Sequence, residues 1–356
     1  HFNLKYPGKA VPKFIESTFF NGEWEVLLTR LLELKEFSYK IVIGEGDHTF
    51  QGEKKEKLYY LTPPAWFLEK LIELNLEDRY KLITWLEIKI PHLSSAWERE
   101  YCLRDTLLDY TQTLAAPEDY ILFTDLDEIV NPEVIYKSFS KDIHLSAHAV
   151  DLYHQYYNTS WKFPDNLAVP ALIRADLLTE KKYTGQQFRE LKGKLPIIPN
   201  AGWHLSYFMS PEEIKRKVQS FAHSELNKEP YTNLDFIKTS IENGYDLFRR
   251  GVNQISTLNT DYQPPKYYQD MALKKTTPKA APKAAPKATP KPISKPIEPK
   301  VELEDEVSLV DVEEVEKVVE TTPTKSLHEL GMYHGTDKAT FHNFCDFYEN
   351  NLDNTK

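Results

Sequence analysis

Residues 13–43 read KFIESTFFNGEWEVLLTRLLELKEFSYKIVI, and the change of period within them points to the fold class. Lys13 to Phe20 is dense in aromatic and β-branched residues, as a buried strand requires. Asn21-Gly22 breaks the run. From Glu23 to Phe37 the apolar residues Trp24, Leu27, Leu28, Leu31 and Leu34 recur at helical spacing and share one face. Tyr39 to Ile43 returns to strand character. Strand, helix and strand in about 30 residues make a βαβ unit, and its right-handed crossover makes the strands parallel. The alternation continues to residue 260, with an amphipathic helix at Trp97 to Leu114, the turn Ala116-Pro117-Glu118-Asp119 and an apolar strand at Tyr120 to Phe123. A further helix opens at Pro211, with Ser210-Pro211-Glu212-Glu213 as its capping box. The expected class is α/β, a mixed, mostly parallel sheet flanked by helices.

Composition limits what such a domain can do. With 356 residues, 41% hydrophobic and 13% aromatic, the chain can bury a large core, which excludes a small stapled scaffold and disorder over most of its length. A formal charge of -10 removes the simplest case for binding nucleic acid or an anionic membrane. Any anionic ligand must be held locally, by a metal or a few cations. Cys102 and Cys345 are far apart, so neither a disulfide framework nor a cysteine zinc site is expected. No apolar run approaches a membrane span, and HFNLKYPGKAVPKF lacks a signal-peptide apolar region. The expected location is cytoplasmic, with room for a targeting segment upstream of His1.

From Lys274 the chain becomes KKTTPKAAPKAAPKATPKPISKPIEPK, a Lys/Pro/Ala repeat with nothing to bury. Acidic VELEDEVSLVDVEEVEKVVE follows, and apolar residues return in SLHELGMYHGTDKATFHNFCDFYENNLDNTK. The expected division is a single folded α/β domain over 11–260, a disordered linker over 261–325, and the start of another domain over 326–356.

Tyr120-Ile121-Leu122-Phe123-Thr124-Asp125-Leu126-Asp127-Glu128 runs a buried strand into three carboxylates. Ligands of open α/β sheets bind outside the carboxyl ends of the strands. Asp125 and Asp127 can point together into a cleft and hold Mg²⁺ or Mn²⁺, which suits a diphosphate. An Asx-rich turn opening the next helix would use the same residues. Asn21 and Glu45 fall at the carboxyl ends of the first two strands, where a parallel sheet meets a nucleoside. Arg104, on the helix before the acidic strand, can reach a bound phosphate or pair with Asp105, and Lys215 and Lys217 can reach a diphosphate. Tyr153-His154-Gln155-Tyr156-Tyr157 and Trp161 offer rings for stacking on a ligand or for the core, and Asn158-Thr159-Ser160 has the glycosylation pattern.

Several spaced segments resemble one family. Phe19-Phe20-Asn21-Gly22-Glu23-Trp24-Glu25 with Leu31, Val42-Ile43-Gly44-Glu45, and Thr49-Phe50-Gln51-Gly52 are similar to the opening of the glycosyltransferase family 17 domain. Further matches are Trp97-Glu98-Arg99-Glu100 with Arg104-Asp105, Asp125-Leu126-Asp127-Glu128-Ile129, Ala201-Gly202-Trp203-His204-Leu205-Ser206, Lys217, Ser220-Phe221-Ala222-His223 and Glu225. The family includes the enzyme that adds the bisecting N-acetylglucosamine to N-glycans. The resemblance implies a GT-A type (Rossmann-like) metal-dependent inverting transferase moving a sugar, N-acetylglucosamine first, from a UDP-sugar donor to a glycan acceptor.

Site roles follow from it together with the places of the residues on the predicted elements. Asp125, Asp127 and His204 are the expected metal ligands; Asn21, Glu45, Arg104 and Asp125 the donor-binding residues; and Glu212 the general base, with Asp151 and Glu190 as alternatives. His223, placed inside the helix from Pro211, is expected to be structural or a phosphate contact. The alternatives are an inactive GT-A fold serving as a glycan-binding module, or another metal-dependent nucleotidyl or phosphoryl transferase. Leu327-His328-Glu329-Leu330-Gly331, Gly335-Thr336-Asp337-Lys338 and Phe347-Tyr348-Glu349 are similar to the start of sugar methyltransferases, which implies fusion to such a domain.

Overall fold

The computed structural model describes residues 12–93, 95–139, 146–250, 257–258 and 263–269. The first half contains β1 (Phe14–Phe19), α1 (Trp24–Glu33), β2 (Lys40–Gly46), α2 (Ala65–Glu73), α3 (Glu77–Lys81), β3 (Ile83–Ile88), α4 (Ala96–Thr113), β4 (Tyr120–Phe123), β5 (Glu128–Val130) and α5 (Pro132–Phe139). The second half contains β6 (Ala147–Tyr156), β7 (Asn158–Lys162), β8 (Leu167–Arg174), α6 (Ala175–Lys181), α7 (Gly185–Arg189), β9 (Ile197–Ser206), α8 (Pro211–Ser220), α9 (Leu234–Asn243) and β10 (Thr257–Leu258).

The strands form one mixed sheet in the order β10-β7-β6-β8-β4-β1-β2-β3, with β9 beside β6 and β5 beside β9. As the opening βαβ pattern requires, β1 and β2 are parallel, and β3 and β4 extend this parallel part. Beyond β4 the sheet turns antiparallel through β8, β6 and β7, while β9 runs parallel to β6.

Side-chain alternation along the strands divides the core between two faces. Phe14, Ile41, Ile43 and Leu122 meet Leu27 and Leu31 of α1 and Phe67 and Leu71 of α2. Ile15, Val42, Ile121 and Phe123 meet Leu103 and Leu107 of α4, Leu178 of α6 and Phe188 of α7. Each fully buried side chain of this kind contributes about 1.5–3 kcal/mol. A third cluster joins Tyr156, Tyr157 and Tyr207 to Ile214 and Val218 of α8 and Ile237 of α9. The parallel half therefore lies between two helical layers, and its carboxyl ends open beside the α8 segment.

Residues 263–269, assigned above to the linker, pack on this domain. Tyr268 is buried in the core that α1 builds, the Gln263 carbonyl accepts from Trp203 Nε1 at 3.0 Å, and the Lys266 amide donates to Glu33. The remainder of the proposed linker from 270, and the methyltransferase-like segment, lie outside the described residues. Among the described residues no helix is long and apolar enough to cross a membrane.

Candidate active site

The loop after β4 is shaped by its own backbone and by a distant strand. The Glu128 amide donates to the Asp125 carbonyl at 3.1 Å, and the Asp125 amide donates to Glu128 Oε2 at 3.0 Å, closing the turn. β5 then pairs antiparallel with β9, setting Glu128 opposite His204. This approach requires Gly202, whose φ is +153° and where a Cβ would lie 2.1 Å from the Ile129 carbonyl oxygen. In the β6–β9 register His154 stands beside His204. Residues some 80 positions apart in sequence thus reach one strand end.

Here a cleft of about 680 Å³ opens, with Asn21, Glu23, Glu100, Arg104, Asp125, Asp127, His204 and Lys217 among its walls. The two aspartates face different cations. Asp125 accepts from Arg104 Nη2 at 3.2 and 3.3 Å, and Arg189 Nη2 lies 3.8 Å from it. Asp127 accepts from Lys217 Nζ at 3.3 Å, and its other oxygen lies 3.6 Å from His204 Nε2. Burial opposes ionisation of both carboxyls, but Arg104 and Arg189 beside Asp125, and Lys217 and His204 beside Asp127, outweigh it and hold both below the usual range. Burial opposes charge on Lys217 and His204 as well, and Asp127 again reverses the balance, so both are raised. His154, stacked on His204 at 4.8 Å, is pushed down to about 3 by burial and by the His204 charge.

The donor set suits a divalent cation at one place. Asp127 Oδ1 and His204 Nε2 face one another, within the span of two metal bonds of about 2.1 Å each. The remaining ring nitrogen, His204 Nδ1, is buried without a partner. Asp125 is committed to the arginines, and among the described residues no group of three His, Cys, Asp or Glu side chains is assembled for a metal. Of the three expected ligands, the structure sets Asp127 and His204 facing one another and Asp125 beside the arginines.

Other expectations need correction. Glu45 does not reach the cleft: its side chain is fully buried, pairing with Lys55 Nζ at 2.9 Å and accepting from the Tyr59 and Tyr60 amides at 2.8 and 3.0 Å. A strand-end carboxylate is here the anchor of the loop after β2. Glu212 is exposed on the first turn of α8 and is not among the cleft walls, while the capping box is made by Ser210 and Glu213. Asp151, held by Asn166 Nδ2 at 2.8 Å, and exposed Glu190 also stand apart from the walls. The carboxylates that do line the cleft beside the aspartates are Glu23, Glu100 and Glu225. Glu212→Gln is accordingly expected to keep activity within about twofold of wild type, since surface changes away from special contacts cost little; a steady-state rate comparison checks this.

Arg104 pairs with Glu100 and Asp125, whereas Asp105 accepts from the Gln186 amide at 2.8 Å. Helix α8 ends at Ser220, so His223 lies beyond it, exposed, 2.7 Å from Glu225 and edge-on to Trp97 at 4.7 Å. Asn21 lines the cleft and donates to Ser220 Oγ at 3.2 Å. Lys217 is a wall residue and Lys215 is not. Of the aromatic segment, Tyr156 and Tyr157 are buried in the core, and among its residues His154 and Tyr156 border the cleft.

Arg189 is a charged partner of the acidic loop that the sequence reading missed. It forms two bonds to Glu128 at 2.7 and 2.8 Å and shares Asp125 with Arg104. The α4–α7 contact that brings it there requires Gly185, where a Cβ would lie 2.3 Å from the Arg104 carbonyl oxygen. Thr184 and Gln187 form a capping box that signals this short helix, but nothing local shows what its arginine meets.

A family model described as glycosyltransferase family 17 matches residues 6–256. No curated protein matches the sequence. Among solved structures, the chain is similar to S. aureus TarS, with 14% identity, 65% of this chain and 43% of that chain covered, and a TM-score of 0.33. It is also similar to glucosyl-3-phosphoglycerate synthase from Mycobacterium tuberculosis, solved with Mn²⁺, UDP and glucosyl-3-phosphoglycerate, at 9% identity, 76% and 96% coverage and a TM-score of 0.31. A 4-diphosphocytidyl-2C-methyl-D-erythritol synthase matches with 14% identity, 54% and 90% coverage and a TM-score of 0.32.

Proposed function

The chain belongs to glycosyltransferase family 17 and is a glycosyltransferase; from this premise we propose that it moves a sugar, N-acetylglucosamine first, from a UDP-sugar to a glycan acceptor. The observation carrying the site assignment is the convergence of Asp125, Asp127, His204, Lys217 and Arg104 on one cleft at the carboxyl ends of the parallel strands.

In this reading Asp127 and His204 hold a divalent cation, Mn²⁺ or Mg²⁺. When bound, it offsets the charge developing on the departing diphosphate. Arg104 and Lys217 provide fixed positive charge on either side of the aspartates. Each is already oriented by a carboxylate, so little side-chain entropy is lost when phosphate oxygens take up its remaining donors. Asn21 at the end of β1, with Trp97 and His223, forms the nucleoside end of the cleft. Transfer proceeds by single displacement with inversion, for which one proton acceptor suffices.

Titration with Mn²⁺ and a panel of UDP-, GDP- and CMP-sugars tests the donor. UDP-sugar is expected to bind and to be hydrolysed slowly in the presence of metal, and NMR of the transfer product to show the inverted anomer. Binding of GDP or CMP but not UDP would sink the donor assignment, and a retained anomer the single displacement. Glycan binding without donor turnover would favour an inactive binding module.

A further inference from the structure

We infer that Arg30 is the positioning residue of the acidic loop, a role resting on the reading that Asp125 and Asp127 serve the donor. Arg30 lies on α1, yet its side chain is 1% exposed and reaches beneath the loop. Its Nη1 donates to the Glu128 carbonyl at 3.0 Å and lies 3.3 and 3.4 Å from the carbonyls of Asp125 and Leu126. Its Nη2 donates to Thr124 Oγ1 at 3.0 Å. Among the carbonyls of residues 125–128, that of Asp127 is the one Arg30 does not take, and it accepts from the Leu205 amide at 2.8 Å. With the carbonyls drawn away from the cleft, Asp125 and Asp127 present their side chains to it.

Arg30 is itself fixed from below. Its Nε donates to Glu16 Oε2 at 2.9 Å, and Glu16 also accepts from Ser38 Oγ at 2.6 Å and pairs with Arg79. Two guanidiniums share one carboxylate, and the loop carbonyls receive the donors that Glu16 leaves over. A lysine cannot reproduce this, because its ammonium lacks a rigid fork able to span Glu16 and the loop together. Arg79 provides the comparison: it has the same partner and similar burial, but it donates to the carbonyl and hydroxyl of Ser38 and makes no bond to the loop.

The test compares Arg30→Lys, Arg79→Lys and the milder Thr124→Val in the full chain. Calorimetry measures UDP affinity in Mn²⁺, donor hydrolysis supplies kcat and KM, and near-UV circular dichroism verifies the native fold at the assay temperature. Arg30→Lys is expected to weaken UDP binding and turnover roughly 10- to 100-fold, as loss of an outer partner of a metal site does. Arg79→Lys should lower the melting temperature while leaving UDP affinity within about twofold. Thr124→Val removes one bond and should weaken UDP binding about fivefold.

Equal UDP affinity in folded Arg30→Lys and wild type would reduce Arg30 to a core residue and overturn the inference. If Arg30→Lys does not fold, an unchanged affinity in Thr124→Val overturns it in the same way. Wild-type protein that binds no UDP would instead overturn the functional reading, and this inference with it.

Discussion

Asp127→Ala is expected to lower transfer by about 100- to 1,000-fold while the protein stays folded, the scale of losing one preorganised electrostatic contact at a reacting centre. Asp127 combines two functions: it faces His204 Nε2 across 3.6 Å and orients Lys217 at 3.3 Å. The fold depends on it less, because Lys217 keeps Glu23 at 3.5 Å and the loop backbone is held by bonds that do not involve this side chain. Donor hydrolysis in Mn²⁺ measures the loss, and circular dichroism verifies the fold. His204→Ala should weaken the metal requirement less, since it leaves the anionic ligand in place. Wild-type rates in Asp127→Ala at low metal, with unchanged UDP affinity, would overturn the metal assignment.

Arg189→Ala is expected to destabilise the domain by about 3–5 kcal/mol, because it strands a buried charge. Glu128 is 3% exposed and receives both of its short ion-pair bonds from Arg189, itself 12% exposed. Without the guanidinium, the carboxylate keeps the Asp125 amide at 3.0 Å but has no cation within bonding distance among the described residues. For a domain of this size the melting temperature should fall on the order of 10 °C. The double change Arg189→Met with Glu128→Gln should recover much of this by removing both charges, which separates ion-pair loss from packing loss. Calorimetric melting of wild type, single and double variants checks it; an unchanged melting temperature in Arg189→Ala would show that Glu128 needs no cation.

In the proposed reading, donor binding and stability are linked through the acidic loop. Arg104 and Arg189 approach Asp125 from one side, Lys217 and His204 approach Asp127 from the other, and Arg30 holds the backbone between them. His204 comes from β9, and the arginines and the lysine are supplied by α1, α4, α7 and α8, so the site is assembled only when the helical layers on both faces of the sheet are packed.

What the sequence determined by itself is local. The strand over Tyr120 to Phe123, the helical face of Trp24, Leu27, Leu28 and Leu31, and the capping box at Ser210 all follow from spacings of a few residues, because backbone period and side-chain direction repeat over that distance. The acidic strand end was legible for the same reason, and the family motifs led to His204 and Arg104. The tertiary structure alone decided which charge meets which. It turned Glu45 into a loop anchor, left Glu212 in solvent, and seated Arg189 and Arg30 around the aspartates. Those outcomes depend on β5 meeting β9 and α7 meeting α4, approaches permitted by Gly202 and Gly185. A charged side chain carries no record of its partner in its neighbours along the chain; burial makes pairing necessary, and the fold selects the partner.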